Sequence, residues 1–264
     1  MSVIETISLT RLFGSLKAVD GLSFSIEPQE VFGLLGPNGA GKTTTIKMLT
    51  TLLPPTSGIG LVAGFDIRKQ PAKVRHMVGY VPQFISADGT LSGYENLLIF
   101  AKLYDIPGKE REKRIHSALA FMGLEDSANK LVKQYSGGMI RRLEIAQSIL
   151  HRPEVLFLDE PTIGLDPNAR RIVWTHIKQL QKEFGTTILL TTHDMDEADS
   201  LCDRVAIMNL GIIATIGSPS ALKDSIHHPG ATLDDVFIYF TGNSIEGGNF
   251  RETARMRRIA RRLG

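Results

Sequence analysis

Eight consecutive residues, Gly36, Pro37, Asn38, Gly39, Ala40, Gly41, Lys42 and Thr43, fit the pattern G-x-x-x-x-G-K-[ST]. Those residue types at that spacing suit a polyphosphate: the glycines let backbone N–H groups curl around phosphate oxygens, Lys42 adds a point charge, and the Thr43 hydroxyl can hold Mg²⁺. Downstream, residues 155–160 read Val-Leu-Phe-Leu-Asp-Glu, an apolar run closing on two carboxylates. Asp159 is placed to take a water on Mg²⁺, and Glu160, one residue on, to polarise the water that attacks a γ-phosphate. Together the two stretches describe an ATP site.

Both need particular elements beneath them. The loop follows the apolar run 31–35 and precedes Thr44-Thr45-Ile46-Lys47-Met48-Leu49, which predicts a buried strand, the loop, then a helix N-terminus whose dipole favours anions. Residues 155–158 and 187–191 read as apolar or β-branched strands separated by a helical pattern over 172–184, the alternation of a parallel α/β sheet. Ligands of such sheets bind at the carboxyl ends of the strands, where Asp159 and Glu160 fall. Short alternating segments over 4–26, with turn signals at Gly14 and Asp20-Gly21, predict a β-rich edge, and 58–81 reads as a second β-like stretch. Ser92 and Glu95 fit a capping box ahead of a helix over 96–104, opening a mostly helical insert over about 84–152. No internal repeat is present.

The chain has 264 residues, 42% hydrophobic and 22% charged, enough for one large domain or two modest ones. A net charge of +2 argues neither for nor against nucleic acid, and the single Cys202 excludes an intramolecular disulfide framework, fitting a reducing cytosol. The start, MSVIETISLTRLFG, lacks the basic and long apolar regions of a signal peptide, and no apolar stretch approaches the ~20 residues of a membrane helix. The expectation is that any membrane-spanning partner is another polypeptide.

Ser136, Gly137 and Gly138 stand just before a helix with apolar Leu143, Ala146, Ile149 and Leu150, so their hydroxyl and bare N–H groups offer a second anion seat. Tyr135-Ser136-Gly137-Gly138-Met139, set between the loop and Val-Leu-Phe-Leu-Asp-Glu, resembles the signature motif of the ATP-binding-cassette (ABC) family. The resemblance covers about residues 4–226 as an ABC ATPase domain. It implies an α/β fold: a P-loop NTPase (RecA-like) core with an N-terminal antiparallel β subdomain and a helical insert. It also implies roles residue by residue. Gln83 matches the Q-loop glutamine that senses γ-phosphate and Mg²⁺, Asp166 the D-loop, and His193, after strand 188–192, the switch histidine. Phe13 matches the adenine-stacking aromatic, with a core phenylalanine as the competing reading. In the family the signature seat closes on ATP held by the opposite subunit, so a homodimer suffices. Tyr135 and Met139 depart from the commonest pattern, and Ile140-Arg141-Arg142-Leu143-Glu144 is similar to the drug-resistance branch of exporters.

Residues 227–264 form a C-terminal extension in which Thr232 to Asp235 can cap a helix over about 232–241, with Leu233, Val236, Phe237 and Phe240 on one stripe and Gly242 as its stop. This string resembles the terminal motif of daunorubicin-resistance-type ATPases, whose permeases are separate chains; a helix packed on its own domain explains the stripe equally. Residues 251–262 hold six arginines and one glutamate, a solvated tail or an anionic-lipid or RNA contact. The resemblance implies an ATP- and Mg²⁺-using subunit at the cytoplasmic face of the membrane, powering an exporter through separate permease subunits, without nucleic acid. The alternative is a soluble ABC ATPase acting on ribosomes or DNA, disfavoured because one cassette with a short insert is present.

Overall fold

The computed structural model describes residues 2–226 and 228–242, so the arginine-rich run 251–262 lies outside the described residues. In chain order the elements are β1 (Ile4–Phe13), β2 (Leu16–Ile26), β3 (Val31–Leu35), α1 (Lys42–Leu49), β4 (Ser57–Val62), β5 (Phe65–Asp66), α2 (Pro71–Met77), β6 (Val78–Val81), α3 (Gly93–Leu103) and α4 (Gly108–Phe121). They continue with α5 (Gly137–Ile149), β7 (Val155–Asp159), α6 (Pro167–Phe184), β8 (Thr187–Thr192), α7 (Met195–Leu201), β9 (Arg204–Asn209), β10 (Ile212–Gly217), α8 (Pro219–Ser225) and α9 (Leu233–Thr241). Among the described residues no helix is long and apolar enough to cross a membrane.

Two sheets divide the strands. One is antiparallel, in the order β2-β1-β4-β5; the other runs β10-β9-β3-β8-β7-β6, parallel except for β10. Strands β3, β7 and β8 are buried along their whole length, which is why they read as unbroken apolar or β-branched runs. Alternate side chains go to opposite layers: Phe32, Leu34, Val155 and Phe157 pack with Ile4, Ile26 and Ile46, while Val31, Leu35, Leu156 and Leu158 pack with Leu143, Val173 and Leu190. A Cβ on Gly33 would stand 2.7 Å from the sulfur of the buried Cys202, so only glycine lets α7's end close onto β3.

Register fixes the functional edge. Leu35 pairs with Thr192, Asp159 with Thr191, and Val81 with Leu158, so the chain leaves β3, β6, β7 and β8 at one end of the sheet. Gly36, Gln83, Glu160 and His193 therefore emerge together.

Two expectations need correction. Residues 58–81 are not β throughout, because α2 intervenes; with Pro71 at its start and only Val74 buried, it carries no periodic apolar face to betray it. Asp20-Gly21 is not a turn: Gly21, at φ +68°, lies inside β2 where the pairing with β1 slips, and its N–H donates to the Thr10 hydroxyl at 3.0 Å. The hairpin turn is at Gly14, φ +58°.

Candidate functional site: a phosphate loop facing two carboxylates

The loop's glycines answer to steric demands as much as to a ligand. A Cβ on Gly36 would sit 2.1 Å from the Met208 carbonyl oxygen and one on Gly41 2.4 Å from that of Ala18; Gly39 and Gly41 also hold φ of +82° and +103°. Gly41 brings no capping side chain to α1, so the first-turn N–H groups point into the loop, as an anion requires.

Lys42, 4% exposed, donates from Nζ to the carbonyls of Gly36 at 2.6 Å and Pro37 at 3.2 Å and lies 3.1 Å from Glu160 Oε1. The other Glu160 oxygen is 2.8 Å from His193 Nδ1. A carboxylate accepts, so Nδ1 carries the proton and Nε2 is left for another partner. The Thr43 hydroxyl donates to Asp159 Oδ1 at 2.9 Å, and the Thr191 hydroxyl donates to the same oxygen at 2.6 Å. Asp159 Oδ2 is buried with no hydrogen-bond partner among the described residues. Glu160 holds a left-handed φ of +50°, with its N–H donating to the carbonyl and hydroxyl of Thr191 at 3.1 and 3.0 Å. Residues in such conformations persist where surrounding bonds over-determine them, and cluster at functional sites.

Five expected residues, Lys42, Thr43, Asp159, Glu160 and His193, thus meet through direct contacts. Thr191, which sequence reasoning missed, organises two of them. Tyr80, on the neighbouring strand β6, is held up at about 12, first by burial and then by the Asp159 charge. Gln83 is half-buried just past β6, and its carbonyl accepts from Arg141 at 3.0 Å. Beyond it Phe84 and Ile85 are 82% and 65% exposed, while Tyr94 packs its half-buried ring against His116.

A second group stands at the start of α5. Ser136 caps that helix, its hydroxyl accepting from Met139 N at 3.3 Å, and a Cβ on Gly138 would meet Ala169 Cβ at 2.8 Å, so glycine sets the approach of α5 to α6. Asp166 caps α6, accepting from Asn168 N and Ala169 N at 3.0 Å each. Tyr135 is buried, its hydroxyl donating to Ser127 O at 2.6 Å. Among the described residues no hydrogen bond or ion pair joins this group to Lys42 or Glu160. Phe13 stands apart: at the end of β1 and 45% exposed, it is not a core residue, and the Arg11 guanidinium lies 4.7 Å from its ring centre.

Sequence reasoning also missed a buried carboxylate. Glu197, 1% exposed, accepts from the Thr162 hydroxyl at 2.6 Å and Trp174 Nε1 at 2.9 Å, joining the chain after Glu160 to the helix after His193. Burial raises its pKa against the pull of those bonds.

A glycine loop between a buried strand and a helix, opposite an acidic strand end on the same edge of a parallel sheet, defines a P-loop ATPase. Residues 19–163 match the family described as ABC transporter, and the chain belongs to it. It is 44% identical over 223 residues to the daunorubicin/doxorubicin resistance ATP-binding protein DrrA of Streptomyces peucetius, covering 84% of this chain and 67% of that protein. Among solved structures it resembles cbiO1 from Clostridium perfringens, part of the ABC transporter complex cbiONQ, with a TM-score of 0.78 and 31% identity over 86% of this chain and 92% of that one. It also resembles the ATP-binding cassette MJ0796, a post-hydrolysis dimer bound to ADP and Pi, with a TM-score of 0.72 and 26% identity over 81% and 98%. The chain is an ATP-binding, ATP-hydrolysing subunit of an ABC transporter of the drug-resistance type.

Proposed function

We propose that Lys42, Thr43, Asp159, Glu160, His193 and Gln83 form the hydrolytic half-site for ATP·Mg²⁺, and that two copies of this chain drive an exporter through separate permease subunits. The observation that carries the reading is the convergence of Lys42, Glu160 and His193 within direct contact, beside a buried Asp159 oxygen that lacks a partner among the described residues. Residues 36–44 wrap the phosphates with backbone N–H groups, and Lys42 reaches the β- and γ-oxygens. Glu160 polarises the attacking water and His193 steadies water and γ-phosphate through its outer ring nitrogen. Phe13, exposed at the tip of the β1–β2 hairpin, is available to stack on adenine.

The donor set fits Mg²⁺. Thr43 supplies a hydroxyl, the orphaned Asp159 oxygen holds a water, and Gln83 supplies a side-chain oxygen; an ion bound by so few protein groups is completed by nucleotide phosphates, as is usual for Mg²⁺. When bound, the ion neutralises charge developing on the transferred phosphoryl group.

Ser136, Gly137, Gly138 and Asp166 are assigned to ATP held by the partner subunit, which explains why they do not join Lys42 within one chain. The permease meets the exposed Phe84 and Ile85, one and two residues past the γ-phosphate sensor. The drug resistance for which the Streptomyces relative is named supports export; attached through a permease, the chain would sit peripherally on the cytoplasmic face of the membrane. The test is isolation of the tagged chain from native membranes. A several-helix membrane protein should co-purify and stimulate ATP hydrolysis; recovery without such a partner, together with unstimulated activity, overturns the transport reading.

A further inference from the structure

Arg141, five residues into α5 and 6% exposed, forks onto the loop after β6: it donates from Nη1 to Pro82 O at 2.7 Å and from Nη2 to Gln83 O at 3.0 Å. One turn on, Glu144, 2% exposed, lies 3.1 Å from Arg141 Nη1 and accepts from both the N–H and the hydroxyl of Ser86, the latter at 3.0 Å. A single buried ion pair thus fastens residues 82, 83 and 86 to the helix whose first turn carries Ser136–Gly138. Only a planar, two-pronged donor can hold two successive carbonyls in this way. Burying such a pair confers little stability that packed apolar side chains would not, so its value lies in fixing geometry.

We propose that Arg141 and Glu144 are positioning residues that carry the state of one ATP site to the other. The inference rests on the reading that ATP is shared between two subunits. Ser136 and Arg141 are joined by about 7 Å of continuous helix, a rod that moves as one body. When the partner's ATP seats at the N-terminus of α5, the Arg141 fork shifts the Gln83 backbone against the γ-phosphate of the chain's own ATP. Each α5 then touches one nucleotide at its tip and the other through Gln83, so hydrolysis depends cooperatively on ATP concentration.

The experiment measures hydrolysis rate against ATP concentration for the full-length parent, for the double variant Arg141→Met/Glu144→Met, and for Arg141→Lys. Replacing both partners with apolar side chains spares the fold the unpaired charge that a single truncation leaves; the lysine variant keeps a charge beside Glu144 but lacks the fork, and carries the test should the double variant fail to fold. The parent should be sigmoidal. Both variants should melt near the parent temperature and bind nucleotide normally, yet turn hyperbolic, with kcat about tenfold lower. A folded variant that stays as sigmoidal as the parent overturns the inference alone. A hyperbolic parent whose Glu160→Gln form stays monomeric with ATP and Mg²⁺ overturns the shared-site reading and the inference with it.

Discussion

Lys42 and Glu160 neutralise each other at 3.1 Å with both side chains almost fully buried, so an arriving triphosphate must draw the ammonium away from the carboxylate. Glu160→Gln removes that competitor. The expected outcome is ATP binding at least as tight as the parent's with turnover lower by about 100-fold or more, read by fluorescent-nucleotide titration and phosphate release. Lys42→Ala should instead abolish productive binding, so the two variants separate. Thr191→Val strips the hydroxyl that donates to Asp159 and accepts from Glu160 N, leaving Asp159 Oδ1 held by Thr43 alone and Glu160 N by the Thr191 carbonyl alone; kcat should fall about tenfold, with Thr191→Ser restoring most of it. Lys42, Asp159 and Glu160 were legible because their types and spacing within short motifs are informative. Thr191 was not: a β-branched residue in a strand needs no further explanation, and its role appears only once register sets β8 beside β7 with Thr191 opposite Asp159.

At the scale of elements, sequence spoke clearly where local chemistry decides. The capping boxes at Ser92–Glu95 and Thr232–Asp235 are both formed, and α9 stops at Gly242 with φ +71°. Of its expected apolar stripe, Leu233, Val236 and Phe237 are buried, but Phe240 is 38% exposed, because α7, α8 and β10 cover only part of that face. Long-range packing is what sequence could not give, and His151 is an example. Just past α5 it stacks on Tyr104 with centroids 3.8 Å apart, its Nε2 lies 3.0 Å from Val78 O, and Nδ1 is buried with no hydrogen-bond partner among the described residues. Burial pushes its pKa down to about 4. The unfolded chain, protonating near 6.5, therefore binds more protons than the folded one between those values, and stability is lost as pH falls through that window, by up to about 3 kcal/mol. Urea midpoints at pH 7 and 4.5 should fall further for the parent than for His151→Phe, which keeps the stack and removes the titration.

For the whole molecule, the separation of Ser136 and Asp166 from Lys42 makes assembly the central expectation. Glu160→Gln with ATP and Mg²⁺ should sediment as a dimer, and adding Ser136→Arg, which fills the anion seat with a bulky cation, should return it to monomer; equal populations in both states count against the shared site. The segment 83–94 was legible as a junction between core and insert, but which of its side chains faces outward was not. Tyr94 is tied into the insert through His116, so Phe84→Ala is the sharper probe of coupling: reconstituted with its permease, this variant should hydrolyse ATP near the parent rate while moving less cargo per ATP. One feature of the interior bears on how such measurements can be made. The chain's single thiol, Cys202, is wedged against Gly33, and burial, followed by the nearby Glu197 and Asp203 charges, raises its pKa well above the ordinary value. To a polar alkylating reagent the folded surface is silent, so a cysteine placed by design on Phe84 or the tip of α5 can be labelled cleanly for distance measurements. The native thiol, left in place, becomes a clock: it reacts only as fast as the seam between β3 and α7 comes apart, and nucleotide binding at the end of that strand should slow it.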